Sequence, residues 1–269
     1  MDKPKKAGIT RVLPALARRL EDFFIPPLCI VCDRALDDSN RWFCKSCRES
    51  LASNHAARDA CPRCAVNRRK RECACEFAWD FPFEKIFSFY DYDDTVSNIA
   101  RHIKYKGKSR LACHTGFISA TLLPGDFLTG MDLVIPVPLH KARLRRRGYN
   151  QAEYFARGLL AALGQKNQPR PEPQGKAPRQ LTPPSLPLRV DLLRRVRNTG
   201  TQTQLDREGR LENLAGAFEA NPRNIDDIKG RHIILVDDIL TTGATTEACT
   251  NELLRAGCAS VRVLSLGRD

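Results

Sequence analysis

Long hydrophobic runs are missing from this chain: none of its 269 residues sits in an apolar stretch of the ~18 residues that a membrane-spanning helix needs. The basic N-terminus also lacks an uninterrupted apolar core, because Pro14, Arg18, Arg19, Glu21 and Asp22 break it up, and this argues against a secretory signal. The expectation is a cytoplasmic protein without a membrane span. Within 1–27, Leu13, Leu16, Leu20, Phe23 and Phe24 recur at helical spacing and predict an amphipathic segment that packs on the protein rather than on a membrane surface. Aromatic residues are scarce, at 7%, which gives little for stacking single-stranded nucleic acid. Acids are outnumbered too, with 31 facing 44 Lys and Arg for a formal net charge of +13. That imbalance favours polyanionic partners, either nucleic acid or a polyphosphate substrate.

Cysteine is what the chain has in excess. Eight of its 11 cysteines fall between Cys29 and Cys75. Cys29 and Cys32 are followed by Cys44 and Cys47, two Cys-x2-Cys knuckles whose thiolates can converge on one zinc ion, as in a zinc ribbon. Disulfides are the weaker reading for a cytosolic protein. Cys61 and Cys64 are followed by Cys73 and Cys75, where a single residue separates the last pair, and this set predicts a second zinc site. Four thiolates leave no open metal position, so both sites read as structural. Cys113, Cys249 and Cys258 stand apart and read as small buried hydrophobes.

The most informative run is Ile233 to Thr246. Ile233-Ile234-Leu235-Val236 has the continuous β-branched character of a central parallel strand. It ends in Asp237 and Asp238, and then Thr241-Thr242-Gly243-Ala244-Thr245 opens a helix to Ala256. Hydroxyls, backbone N–H groups and a helix N-terminus suit a phosphate. The carboxylates have the wrong sign for that role and suit vicinal sugar hydroxyls or magnesium. A ribose 5-phosphate group satisfies both halves.

Elsewhere strands and helices alternate. A strand is expected over Phe83–Tyr92, helices over Asp94–Lys106 and Leu111–Leu123, and a short strand over Leu133–Pro138. A helix to about Leu163 follows, and Val261–Leu266 closes the pattern. This order predicts an α/β fold with a parallel sheet flanked by helices. The segment 165–187 is rich in Pro, Gln and Lys and reads as a mobile insertion.

The strand, acid pair and hydroxyl turn resemble the PRPP-binding motif of type I phosphoribosyltransferases. Val137-Pro138-Leu139-His140, Arg147-Gly148-Tyr149-Asn150-Gln151 and the cysteine knuckles, taken in their order, resemble the ComF/GntX family of proteins linked to natural transformation. The resemblance runs from about Cys29 to Arg268 and implies a cysteine-rich zinc-ribbon module over 28–80 followed by a phosphoribosyltransferase-like domain over 81–269. It assigns Asp237 and Asp238 to the ribose hydroxyls and to catalysis, and Thr241, Thr242, Gly243, Ala244 and Thr245 to the 5-phosphate. Val137, Pro138, Leu139, Lys141 and Arg147, with Arg143 nearby, become the pyrophosphate loop, and Arg194–Arg210 becomes a mobile hood. Magnesium would accompany PRPP.

The implied activity is phosphoribosyl transfer to an unidentified acceptor during DNA uptake. Thr241 stands where purine-salvage relatives carry an Asp, which argues against hypoxanthine or guanine as acceptor. The alternative is a binding protein that senses PRPP or a nucleotide and engages single-stranded DNA or competence machinery through its basic surface and zinc module.

Overall fold

A computed structural model describes residues 27–36, 41–55, 60–70, 72–73, 81–166, 186–199 and 207–269. The amphipathic segment at Leu13–Phe24, Cys75, residues 167–185 of the Pro-rich segment and 200–206 of the expected hood lie outside the described residues. The chain divides into two units between Ser53 and Asn54.

The smaller unit is built around the first cysteine knuckle. Cys29 N–H donates to Arg34 O at 2.8 Å and Asp33 N–H donates to Cys29 O at 2.9 Å, which curls the backbone around the first two thiols. Asp33 takes a left-handed φ of 54°, a conformation that Asp tolerates better than most residues. Helix α1, Lys45–Ser53, starts directly after Cys44, with Phe43 and Leu51 buried beneath it.

The larger unit carries a parallel sheet. Its strands are β1 (Lys85–Asp91), β2 (Leu133–Pro136), β5 (His232–Leu240) and β6 (Ser260–Arg268), in the order β1-β6-β5-β2. All three pairings are parallel. The outer edge of β2 is covered by residues 187–189, since Val134 N–H donates to Pro187 O and Arg189 N–H to Val134 O, both at 2.9 Å. A two-stranded antiparallel piece, β3 (Leu193–Arg195) with β4 (Phe218–Ala220), completes the strands.

Helices cover both faces, which is why Ile233 to Val236 are all fully buried. Helices α2 (Asp94–Tyr105), α3 (Ser109–Ser119) and α5 (Gln151–Lys166) lie on one side, where Phe89 of β1 meets Phe155 of α5 edge-on at 5.6 Å. Between α3 and α5 the backbones nearly touch: a Cβ on Gly158 would lie 1.8 Å from Cys113 O. Helix α7 (Ala244–Arg255) closes the other side, its Cys249 and Leu253 packed with Ile233, Leu235, Leu192 and Phe218. Two shorter helices, α4 (Lys141–Arg147) and α6 (Arg207–Leu214), flank the strand ends.

The parallel α/β expectation holds. Several boundaries differ. The strand expected to end in Asp237 and Asp238 continues to Leu240, and Asp237, Ile239 and Leu240 pair with Ser265, Gly267 and Arg268. Gly267 makes that extension possible, because a Cβ there would come within 2.9 Å of Val96 Cγ1 and 3.1 Å of Ile239 Cδ1. The expected helices are found at Asp94–Tyr105 and Ser109–Ser119, the latter followed by a 3-10 turn over Ala120–Leu122. Gln165 and Lys166, expected at the start of the insertion, still belong to α5.

Candidate functional site

The C-terminal ends of β5 and β2 lie side by side, and α/β sheets place their ligands there. Each acid of β5 folds its carboxylate back onto the next backbone N–H: Asp238 N–H donates to Asp237 Oδ1 at 2.8 Å, and Ile239 N–H to Asp238 Oδ1 at 2.7 Å. Burial, then the adjacent Asp238 charge, pushes the Asp237 pKa up to about 7, against the pull of the Asp238 N–H, Lys104 and Arg195. Lys104, at the end of α2, pairs with Asp238 at 3.3 Å. Burial works against the Lys104 charge, but Asp238 and then Asp237 outweigh it and raise its pKa.

Beyond the acids the chain turns through Thr241 and Thr242 into α7. Gly243 caps this helix with φ at 81°, the left-handed conformation in which a side chain is strained. Thr242 Oγ1 lies 3.4 Å from Ala244 N, and the buried Thr246 hydroxyl donates to Gly243 O at 2.9 Å. Thr241 is exposed, while Thr242 and Thr245 are half-buried beside the helix N-terminus. The turn therefore combines hydroxyls with the positive end of a helix dipole.

The second half of the site is built by the motif at 147–151. Val137 is buried at the end of β2, and its carbonyl accepts from Asn150 Nδ2 at 2.9 Å. Asn150 Oδ1 also accepts from Ala152 N–H at 3.1 Å, so one side chain starts α5 and ties it to the β2 loop. His140 caps α4 by accepting from Ala142 N–H, and Gly148 ends that helix with φ at 79°. Tyr149 is buried and donates to Ile103 O at the end of α2.

The structure sorts the arginine run by helix face. Arg143 and Arg147, four residues apart, are half-buried, whereas Lys141, Arg145 and Arg146 are exposed. Arg147 donates to Gln151 Oε1 at 2.8 Å and lies 5.7 Å from the centroid of the Tyr105 ring. Arg143 donates to Thr199 O at 2.6 Å, and Arg195 of β3 donates to the Thr199 hydroxyl. Arg195 feels the Asp237 charge and lies 5.2 Å from the centroid of the Phe218 ring. Lys104 and Arg195 thus act directly on the two carboxylates, with Arg147 near Lys104 and Arg143 near Arg195. The Nε atoms of Arg147 and Arg195 are buried with no hydrogen-bond partner among the described residues. Such a cluster suits an anion that would satisfy them.

Of the expected residues, the structure brings together Asp237, Asp238, the Thr241–Thr245 turn, the Val137 loop and Arg147. Pro138 and Leu139 are half-buried in that loop, and Lys141 points away on the exposed face of α4. Lys104 has no site role among the sequence-based expectations, and Arg195 enters only as part of the hood expected over 194–210. Each stands in a run of charged residues with nothing local to mark the one that turns inward.

Thiol clusters form two further sites. The Sγ atoms of Cys29, Cys32, Cys44 and Cys47 all lie within 4.8 Å of one another, as do those of Cys61, Cys64 and Cys73. Thiolates around a tetrahedral zinc at ~2.3 Å stand about 3.8 Å apart. The observed Cys32–Cys44 and Cys64–Cys73 separations of 3.6 and 3.3 Å are close to that spacing. The Ser46 hydroxyl, then the Cys47 N–H, lowers Cys44 to about 6. Burial would raise Cys61, but N–H groups of Arg63 and Cys64 and the neighbouring thiols bring it to about 7. Both clusters could hold a thiophilic metal such as zinc. Cys249 and Cys258 are buried and Cys113 half-buried, and burial raises the pKa of all three, as expected of packing residues.

Residues 154–267 match the phosphoribosyl transferase domain, a range that includes the acids and hydroxyl turn but begins after the Val137–Arg147 loop. The chain is 26% identical to DNA utilization protein YhgH of Salmonella typhimurium over 250 residues, covering 91% of this chain and 98% of that protein. It is 24% identical to competence protein ComFC of Bacillus subtilis over 268 residues, covering 90% and 95% of the two chains. Competence protein F of Haemophilus influenzae is 31% identical over 138 residues, about half of each chain at 51% and 50%. Together these similarities support a ComF-family assignment. In this chain the cysteine clusters precede the residues that match the phosphoribosyl transferase domain. No helix among the described residues is long and apolar enough to cross a membrane.

Proposed function

We propose that this protein binds PRPP with magnesium and transfers its phosphoribosyl group to an acceptor during the uptake or use of DNA. One observation carries the reading: two carboxylates lie near the C-terminal end of a central strand, just ahead of a hydroxyl-rich turn at a helix N-terminus, with Lys104 and Arg195 acting on them. Asp237 and Asp238 bind the ribose 2- and 3-hydroxyls, and Thr241–Thr245 binds the 5-phosphate. Arg147, Arg143 and Arg195 meet the pyrophosphate. Magnesium, when bound, offsets the charge of the departing pyrophosphate. The C1–oxygen bond to pyrophosphate breaks, a bond from the acceptor's lone pair to C1 forms, and the acceptor loses its proton. Such a reaction needs positioning and a prearranged field more than covalent participation by the protein. The two thiol clusters hold structural zinc.

The names of the Salmonella, Bacillus and Haemophilus relatives support a role in competence or DNA utilization. Exposed Arg101, Lys106, Arg110, Lys141, Arg145 and Arg146 favour a second reading, in which the pocket senses PRPP while a basic surface engages single-stranded DNA. Calorimetry with PRPP and magnesium tests the pocket. Binding should be lost in the Asp237→Ala, Asp238→Ala double variant, and equal affinity in that variant would refute the assignment. Pyrophosphate release across a panel of bases and amines separates the readings: acceptor-dependent release supports the enzyme, and silence with intact binding supports the sensor.

A further inference from the structure

Cys61, Cys64 and Cys73 belong to the larger unit, and their knuckle sits on the same end of the sheet as the phosphate turn. The row Asp91–Arg268–Leu240 runs across the C-terminal ends of β1, β6 and β5. Asp91 accepts from Asn67 Nδ2 at 2.8 Å and pairs with Lys70 at 2.9 Å, which holds the knuckle to the β1 end of that row. Arg268 is only 5% exposed. Its Nε donates to Cys64 O at 2.8 Å, while Nη1 donates to Leu240 O at 3.2 Å and to Thr241 O. A single buried guanidinium therefore connects the backbone of a thiol ligand to the first residue of the phosphate turn.

A second contact runs in parallel. The Phe81 ring packs against the buried Cys61, Cys64 and Val66 and also against the central core. Its Cε1 would be 3.1 Å from a Cβ on Gly243, so the ring lies against the cap of α7. The knuckle is thus linked to both ends of the turn, at Thr241 by hydrogen bonds and at Gly243 by packing.

We propose that Arg268 is a positioning residue for the phosphate turn, and that an ion held by Cys61, Cys64 and Cys73 fixes the turn through it. Holding the Cys64 carbonyl in a metal knuckle fixes the acceptor of Arg268 Nε, and the planar fork then fixes the carbonyls of Leu240 and Thr241. Loss of the ion frees Cys64 and loosens the part of the pocket that grips the 5-phosphate, leaving the Arg147 side unchanged. The site for the ribose-phosphate end thereby depends on metal occupancy at a distance from the reacting carbon. This rests on the PRPP reading for the ligand but not for the mechanical link.

The test uses the full chain and two variants, Cys73→Ser and Arg268→Lys. Three quantities are measured: bound zinc, hydrogen exchange of the amides in 241–246, and affinities for ribose 5-phosphate and for inorganic pyrophosphate with magnesium. Cys73→Ser should lose zinc, exchange faster in 241–246 and bind ribose 5-phosphate about tenfold more weakly, with pyrophosphate affinity kept. Arg268→Lys should keep the zinc and show the same loosening, because a lysine cannot reproduce the fork. General structural damage would move pyrophosphate affinity and exchange throughout the sheet as well, and that result overturns the positioning role. Unchanged exchange in 241–246 in Arg268→Lys overturns it too. If Cys73→Ser fails to fold, chelation of the wild-type protein supplies the metal arm. Wild-type protein that binds neither probe would refute the PRPP reading alone, since hydrogen exchange still reports the link.

Discussion

The two cysteine knuckles share one local design and serve different surroundings. In each, the residue four after the first cysteine is left-handed, Asp33 at φ 54° and Ala65 at φ 57°. Each donates its N–H back to that cysteine's carbonyl, at 2.9 Å from Asp33 and 2.8 Å from Ala65. In each, the first cysteine N–H donates to the carbonyl one residue further on, Arg34 or Val66. The first knuckle meets Cys44 and Cys47 at the start of α1 and makes up the centre of a small unit. The second meets Cys73 and is stitched to a sheet end by Asp91 and Arg268. The same turn is a core where little other core exists, and a clamp where a large core already stands.

The largest effect should separate those roles. Among its described residues the small unit has few buried apolar side chains besides Ile30, Leu36, Phe43 and Leu51, so we expect its fold to require a metal at the four thiols. Replacing Cys44 and Cys47 by Ser removes two thiolates and should unfold that unit, since a structural zinc contributes roughly 10–16 kcal/mol in comparable small modules. Limited proteolysis should then cut within 27–53, while PRPP affinity and the melting of the larger unit stay as in wild type. A variant that resists protease there would show that the first knuckle needs no metal to fold.

A smaller effect is expected where the protein holds charge rather than thiol. Like the knuckles, the acid pair gathers groups that repel one another until a cation or ligand arrives. Burial and Asp238 raise the Asp237 pKa to about 7, well above a carboxylate's usual value. A raised carboxyl pKa means that the folded state binds the proton more tightly than the unfolded one. Its stabilising contribution is therefore complete in acid and is lost as pH rises through about 7. Asp237→Asn removes the buried charge, so the unliganded variant should melt a few degrees above wild type at pH 8, with the gap closing toward pH 5. Thermal melts at the two pH values check this. A variant less stable than wild type at pH 8 would mean that the Lys104 and Arg195 charges outweigh the burial cost.

How far the sequence disclosed these sites depends on how local each signal is. Ile233 to Val236 announced a buried strand because four apolar residues in a row need cover on both faces. Asp237 and Asp238 looked like its end, yet the strand continues to Leu240, because Gly267 on the neighbouring strand leaves room for Ile239. The cysteine pairs were legible through spacing, and Arg147-Gly148-Tyr149-Asn150-Gln151 only through its resemblance to the ComF/GntX family. Lys104, Arg195 and Arg268 were not legible as individual partners of that site, although Arg195 fell in the hood expected over 194–210. The first two lie far from the acid pair in sequence, and Arg268, which ends an apolar strand, touches Thr241 only because β6 lies beside β5. Contacts of that kind belong to the sheet order, which no window of sequence contains.

The smallest effect concerns the left-handed residues that the knuckles share. Glycine costs nothing in that conformation, whereas other residues pay roughly 1 kcal/mol. Asp33 is exposed, so Asp33→Gly removes the strain and little else. It should stabilise the small unit by about 0.5 kcal/mol, a reduced gain because Asp already tolerates the conformation. Ala65 is fully buried within the central core cluster. Ala65→Gly relieves more strain but loses a buried methyl worth about 0.8 kcal/mol, so the two terms nearly cancel. Denaturant melts should show a small gain at position 33 and almost none at 65. Equal gains at both would mean that the second knuckle packs no more tightly against its surroundings than the first, and its role as a clamp would fail with that result.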